Sequence, residues 1–173
     1  MTNKFRFVKE LAIILFLIGI TGFAQELSRE GVSSVTTEVD FTQKEIFEKI
    51  TTFSKEFLAN EKIKLTNQTA GKSITLQGEA DHKACVVNQK MGSKTCYKLI
   101  FEMQITTQDK SYSIAIPKLK AESERFPDAD YTHWFYDDGR VIPGFESAVL
   151  GTSEYFQSLN QDFKQYIEEG DYW

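Results

Sequence analysis

The chain has 173 residues, 41% hydrophobic and 26% charged, with three prolines and ten glycines. This composition fits one globular domain with a sizeable core and excludes collagen-like, low-complexity and wholesale disordered chains. A net charge of −5, from 20 basic and 25 acidic residues, offers a nucleic-acid backbone little to bind, and two cysteines with two histidines leave little material for metal clusters.

Residues 1–24 have the three parts of a secretory signal. Lys4, Arg6 and Lys9 form a positive n-region, Leu11 to Ile20 an apolar h-region, and Gly22-Phe23-Ala24 a small-residue cleavage site before Gln25. A helix of the ten-residue h-region rises only about 15 Å, short of a bilayer core of about 30 Å. The segment is therefore expected to be removed rather than kept as an anchor, and no cysteine near Ala24 marks a lipoprotein. Its loss takes away three positive charges and the one negative charge of Glu10. The remaining 149 residues then carry −7. The expected product is a secreted or periplasmic acidic protein with no stable membrane span after cleavage.

Residues 25–34 read as a polar lead-in, and 35–173 as a single α+β domain. Val35, Thr37, Val39 and Phe41 alternate with polar residues, the period of a half-buried strand. Thr42-Gln43-Lys44-Glu45 matches a capping box, and Ile46, Ile50, Phe53 and Phe57 follow at helical spacing, which predicts a helix over about 43–59. Ile63 to Asn67 begins a further strand. After the Thr69-Ala70-Gly71-Lys72 turn come three alternating runs: Ile74 to Asp81, Tyr97 to Ile105, and Tyr112 to Ile116, which ends at Pro117. They read as hairpin-connected antiparallel strands with one wet face. An accessory hairpin, Tyr131–Tyr136 with Arg140–Phe145, is expected around Asp137-Asp138-Gly139. Thr152 to Glu169 predicts the last helix, with Gly170 to end it. A β-α-β-β-β-β-α order of this kind is satisfied by a curved antiparallel sheet with two helices packed on its apolar face.

Cys85 and Cys96 are the clearest chemical feature. In an exported chain such a pair is expected to form a disulfide. Both share the register of the polar-face residues on their strands, so direct pairing places the bridge on the outer face of the hairpin. A redox role would call for close spacing at a helix N-terminus. Gly71-Lys72-Ser73 lacks the first glycine of a phosphate loop, since Thr66 holds that position. Neither His82 nor His133 is accompanied by a nucleophile elbow, and each reads as a surface histidine. Asp128, Asp130, Asp137 and Asp138 break the EF-hand spacing and read as a solvated acidic loop. No cofactor and no metal are implied. Asn67-Gln68-Thr69 is a formal sequon.

The segment 126–145 concentrates Phe126, Tyr131, Trp134, Phe135, Tyr136 and Phe145. Tyr131, Trp134, Phe135 and Tyr136 are the candidate binding surface, because exposed rings give large contact area at low entropy cost. The opposing expectation is that these rings cover the end of the core.

Several of these features together resemble a family of exported bacterial domains of unknown function with a TBP-like fold. They are the helix from Thr42, the Thr69–Lys72 turn into a strand, the strand Tyr97 to Ile105, the strand Ser111-Tyr112-Ser113-Ile114 and the C-terminal helix ending near Trp173. The resemblance covers about residues 35–173. It implies an α+β fold with a curved sheet and no assigned activity, and it makes the aromatic segment 126–145 an extension of a plainer strand-to-helix connection.

The function expected on these grounds is a non-enzymatic binding or interaction module of the cell envelope. Its partner would be a protein, a glycan or a small apolar ligand, and not a nucleic acid. The ligand would sit on the aromatic segment or in a hollow between the sheet and the C-terminal helix. The competing expectation is an envelope enzyme whose Asp137, Asp138 or Glu146 work as paired carboxylates flanking a cleft.

Overall fold

The computed structural model describes residues 25–88, 92–123 and 130–170. The leader 1–24, Phe126, Asp128 and Trp173 lie outside the described residues.

The elements in chain order are β1 (Leu27–Ser28), β2 (Gly31–Val32), β3 (Val35–Glu38), α1 (Gln43–Glu56), β4 (Ile63–Thr69), β5 (Ser73–Asn88), β6 (Ser93–Gln108), β7 (Ser111–Glu122) and α2 (Glu146–Glu169), with short 3-10 turns at Leu58–Glu61 and Tyr131–Trp134. Strands β3 to β7 form one antiparallel sheet in the order β3-β7-β6-β5-β4, and β1 pairs with β2. Both helices pack on the apolar face of that sheet, as the alternation requires.

That face is built from alternate residues. Ile74, Leu76, Ala80 and Ala84 of β5 are buried, as are Tyr97, Leu99, Phe101, Met103 and Ile105 of β6. Gly78 pairs with Phe101 and leaves room for its ring; a Cβ there would meet Phe101 Cζ at 2.5 Å and Ile63 Cγ1 at 2.9 Å. Helix α1 starts at the capping box: Thr42 Oγ1 accepts from the Glu45 N–H at 3.4 Å, and the Glu45 carboxylate accepts from the Thr42 N–H at 2.9 Å. It buries Ile46, Ile50, Phe53 and Ser54 and passes into the 3-10 turn, which stops at Lys62 in the left-handed region.

Three expectations are corrected here. Strand β7 does not end at Pro117 but runs to Glu122. The register against β6 shifts by one residue between Glu102 and Gln104, so Pro117 falls in a bulge, where its missing N–H leaves the ladder intact. The bulge also moves the buried side from even residues (Tyr112, Ile114, Ile116) to odd ones (Leu119, Ala121), which breaks the alternation. Helix α2 begins at Glu146, well over one turn before Thr152, and buries Ala148 and Thr152 in line with Phe156, Leu159, Phe163 and Ile167. Its internal Gly151 masks that start. The lead-in 25–34 is not merely polar: it folds over as β1–β2, burying Leu27 and Val32, and Leu27 N–H donates to Ser153 Oγ of α2 at 3.0 Å.

Strand β5 carries a larger irregularity. Ala80 pairs with Leu99 and Ala84 with Tyr97, so Asp81, His82 and Lys83 stand opposite Lys98 alone. Two extra residues bend the strand yet preserve which side faces the core. His82 takes the left-handed conformation, φ 61°, that the bend demands.

Candidate functional site

Cys85 and Cys96 face each other across β5 and β6 and are joined as a disulfide. The bridge is tied to α2. Ser147 Oγ donates to the Cys85 carbonyl at 2.7 Å, and one turn on, Gly151 sits against the Lys83 carbonyl. Ser147 and Gly151 share a helix face, so the first two turns of α2 rest on the bulged segment 83–85.

The aromatic segment is placed differently from the surface expectation. Trp134 is 1% exposed, Phe135 6% and Tyr131 9%; Tyr136 alone is exposed, at 44%. Tyr131, Trp134 and Phe135 thus belong to the core. Trp134 meets Tyr97 edge-on with ring centroids 5.2 Å apart and stacks on Phe145 at 6.2 Å. The expected hairpin is reduced to a 3-10 turn at Tyr131–Trp134 and a single bridge, Phe135 to Val141. The apolar rings win inward positions because the β7-to-α2 connection must close one end of the sheet.

The acids near 137–146 are each engaged in local structure. Arg29 reaches across from the β1–β2 turn and donates to the Asp137 carboxylate at 2.8 Å and the Asp137 carbonyl at 2.6 Å. Asp138 accepts from Arg140 Nε at 2.8 Å, and Glu146 from the Gly144 N–H at 2.7 Å. These contacts secure the loop. His133 is exposed, with Nδ1 3.0 Å from the Asp130 carbonyl.

The hollow between sheet and C-terminal helix is present, and it is a groove of about 630 Å³. Phe53 and Phe57 come from the end of α1, Leu58 and Glu61 from the 3-10 turn, His82 and Lys83 from the β5 bulge, and Gly151, Glu154, Tyr155, Leu159 and Asp162 from α2. Its floor is aromatic. Phe53 stacks on Phe57 with centroids 5.4 Å apart, and Tyr155 meets Phe101 at 5.9 Å. Lys83 Nζ lies over the Tyr155 ring, 5.6 Å from its centroid.

Two groups that line the groove are shifted by burial. Burial, and secondarily the Glu61 carboxylate, holds the Asp162 carboxyl above the ordinary carboxylate range. The same two causes push the Tyr155 hydroxyl well above the usual phenol range. By contrast, Asp81 is held below its ordinary range by the hydrogen bond from Lys62, and Glu102 below its own by Lys118. The hollow is expected from the sequence, but Phe57, His82, Lys83, Tyr155 and Asp162 as its lining are not. The local signal is the one-face spacing of two acids, Glu154 and Asp162, with Ser158 between them, beside Tyr155 on a helix that otherwise reads for its core.

Neither a protein-family profile nor a curated protein matches this chain. Among solved structures, a DUF4468 family protein from Bacteroides ovatus ATCC 8483 superposes with a TM-score of 0.67 at 13% identity, over 88% of this chain and 95% of that one. A TBP-like protein from Parabacteroides distasonis ATCC 8503 superposes with a TM-score of 0.59 at 17% identity, over 78% of this chain and 90% of that one. The chain therefore has an α+β, TBP-like fold. At such identities the likeness speaks to fold alone.

Proposed function

We propose that the chain is an exported, non-enzymatic binding module that takes a small, largely apolar ligand bearing an amine in the groove between α1, the β5 bulge and α2. The observation that carries this reading is the groove itself: a cleft within the size range of small-molecule sites, aromatic below and carboxylate-rich around. Phe57, Leu58, Tyr155 and Leu159 offer apolar contact. Glu61, Glu154 and Asp162 outnumber Lys83 as charged groups, so a cation gains and an anion loses. A cation beside Asp162 would also relieve its repulsion with Glu61.

Export is supported by the leader sequence and by the disulfide, and no helix among the described residues is long and apolar enough to cross a membrane. A nucleic-acid partner is disfavoured by the outer face of the sheet. There Lys62, Lys98 and Lys118 stand against Asp81, Glu79 and Glu102, which leaves no basic stripe among these residues.

Calorimetric titration with tryptamine and with indole-3-acetate tests the reading, since the two share a ring system and differ in charge. Tryptamine is expected to bind and indole-3-acetate to bind at least tenfold more weakly. Equal binding, or none by either, would remove the proposal.

A further inference from the structure

We infer that Gln25 is a modification site: after the leader is cut behind Ala24, the Gln25 side chain cyclises onto the new amino terminus as pyroglutamate. The inference rests on the export reading above and is independent of what the groove binds.

Gln25 is 2% exposed, and both its side-chain Nε2 and Oε1 are buried without a hydrogen-bond partner among the described residues. Unpaired buried amides are rare because neither water nor protein repays their desolvation. The residue is also held in place. The Glu26 N–H donates to Ser33 Oγ at 2.9 Å, the Ser33 N–H donates to the Glu26 carbonyl at 2.9 Å, and the Leu27 N–H donates to Ser153 Oγ of α2 at 3.0 Å. With its two successors pinned, Gln25 stays in a hollow of about 360 Å³ alongside Leu27, Val141 and Val149, with Glu26, Glu146 and Glu154 exposed around it. Cleavage behind Ala24 would add an ammonium at this same buried residue, and a buried charge needs a partner.

Cyclisation removes both problems in one step. The α-nitrogen attacks the side-chain Cδ and a Cδ–N bond closes the lactam. The Cδ–Nε2 bond breaks, and the amide nitrogen leaves as ammonia with the proton given up by the α-nitrogen. No oxidant, reductant or co-reactant is consumed. The product is neutral, keeps one N–H and one ring carbonyl, and suits an apolar hollow better than a primary amide with an ammonium.

The test is the intact mass of the chain exported under its own leader, as wild type and as Gln25→Ala. The expected wild-type mass is that of residues 25–173 with the disulfide, less one ammonia, with no free α-amine on sequential degradation; the variant should show its full mass. A wild-type chain beginning with free Gln25 would overturn the inference while leaving export intact. A chain cut at another residue would likewise overturn the inference alone, and a chain still beginning at Met1 would overturn both. As a second measurement, the cyclised protein should melt at a higher temperature than the same chain refolded with free Gln25. Equal melting would contradict the packing argument.

Discussion

Gly151 of α2 lies against the backbone carbonyl oxygen of Lys83 in the β5 bulge, so closely that a Cβ on residue 151 would overlap that oxygen. A glycine in mid-helix normally weakens the helix by up to about 1 kcal/mol relative to alanine. Here it is what lets the helix settle on the bulge and shape one wall of the groove.

Gly151→Ala is therefore expected to reverse the usual sign. Instead of stabilising, it should cost about 1–3 kcal/mol, the range for forcing extra volume into a packed contact, because backbone atoms of Lys83 cannot move aside cheaply. Urea denaturation of the variant checks this. An increase in stability would show that the helix can lift from the strand without loss.

Trp134 and Tyr136 separate core from surface in the aromatic segment. Trp134→Ala should cost about 3–5 kcal/mol, since it empties the space between Tyr97 and Phe145. Tyr136→Ala should cost less than about 1 kcal/mol, because the ring is exposed, with the Arg140 guanidinium 5.5 Å from its centroid. Thermal or denaturant unfolding of the two variants gives the comparison directly.

The disulfide closes a loop of sequence separation 11, for which the chain-entropy account gives about 3 kcal/mol. The double variant Cys85→Ala, Cys96→Ala should lose about that much. Because Ser147 Oγ holds the Cys85 carbonyl, it should also loosen the start of α2, seen as faster amide exchange over residues 146–151.

Asp162 gives a pH signature with a definite sign. Its folded pKa is raised, so between the ordinary carboxylate range and that raised value the folded state holds more protons than the unfolded one. This group's contribution to stability is then greatest at low pH and falls as pH rises through the window. Asp162→Asn should raise stability at neutral pH and remove that part of the slope, as melting curves across pH 3–8 would show. Tryptamine binding should weaken in the same direction that Asp162 becomes protonated.

Much of the sheet is legible in the sequence, for reasons that particular residues show. Ile74 to Ala84 keep their alternation because the β5 bulge adds two residues, which preserves parity through His82. The single extra residue at Pro117 flips parity, so Leu119 and Ala121 look like the end of a strand rather than its continuation. The start of α2 is hidden by Gly151, whose reason is a contact with a strand more than sixty residues away in sequence. The burial of Trp134 is equally non-local, since its partners Tyr97 and Phe145 come from a strand and from the edge of a helix. The groove is assembled from residues between Phe53 and Asp162 on four elements, and no local pattern brings Phe57, Lys83 and Tyr155 together.

Amide chemical-shift mapping with tryptamine tests most directly whether this groove takes an apolar amine. Perturbations are expected to concentrate at Phe57, Leu58, His82, Lys83, Tyr155 and Asp162, and to be abolished by Tyr155→Ala in a variant that still shows a dispersed, folded spectrum. Perturbations centred instead on Tyr136, or no perturbation at all at saturating tryptamine, would contradict it.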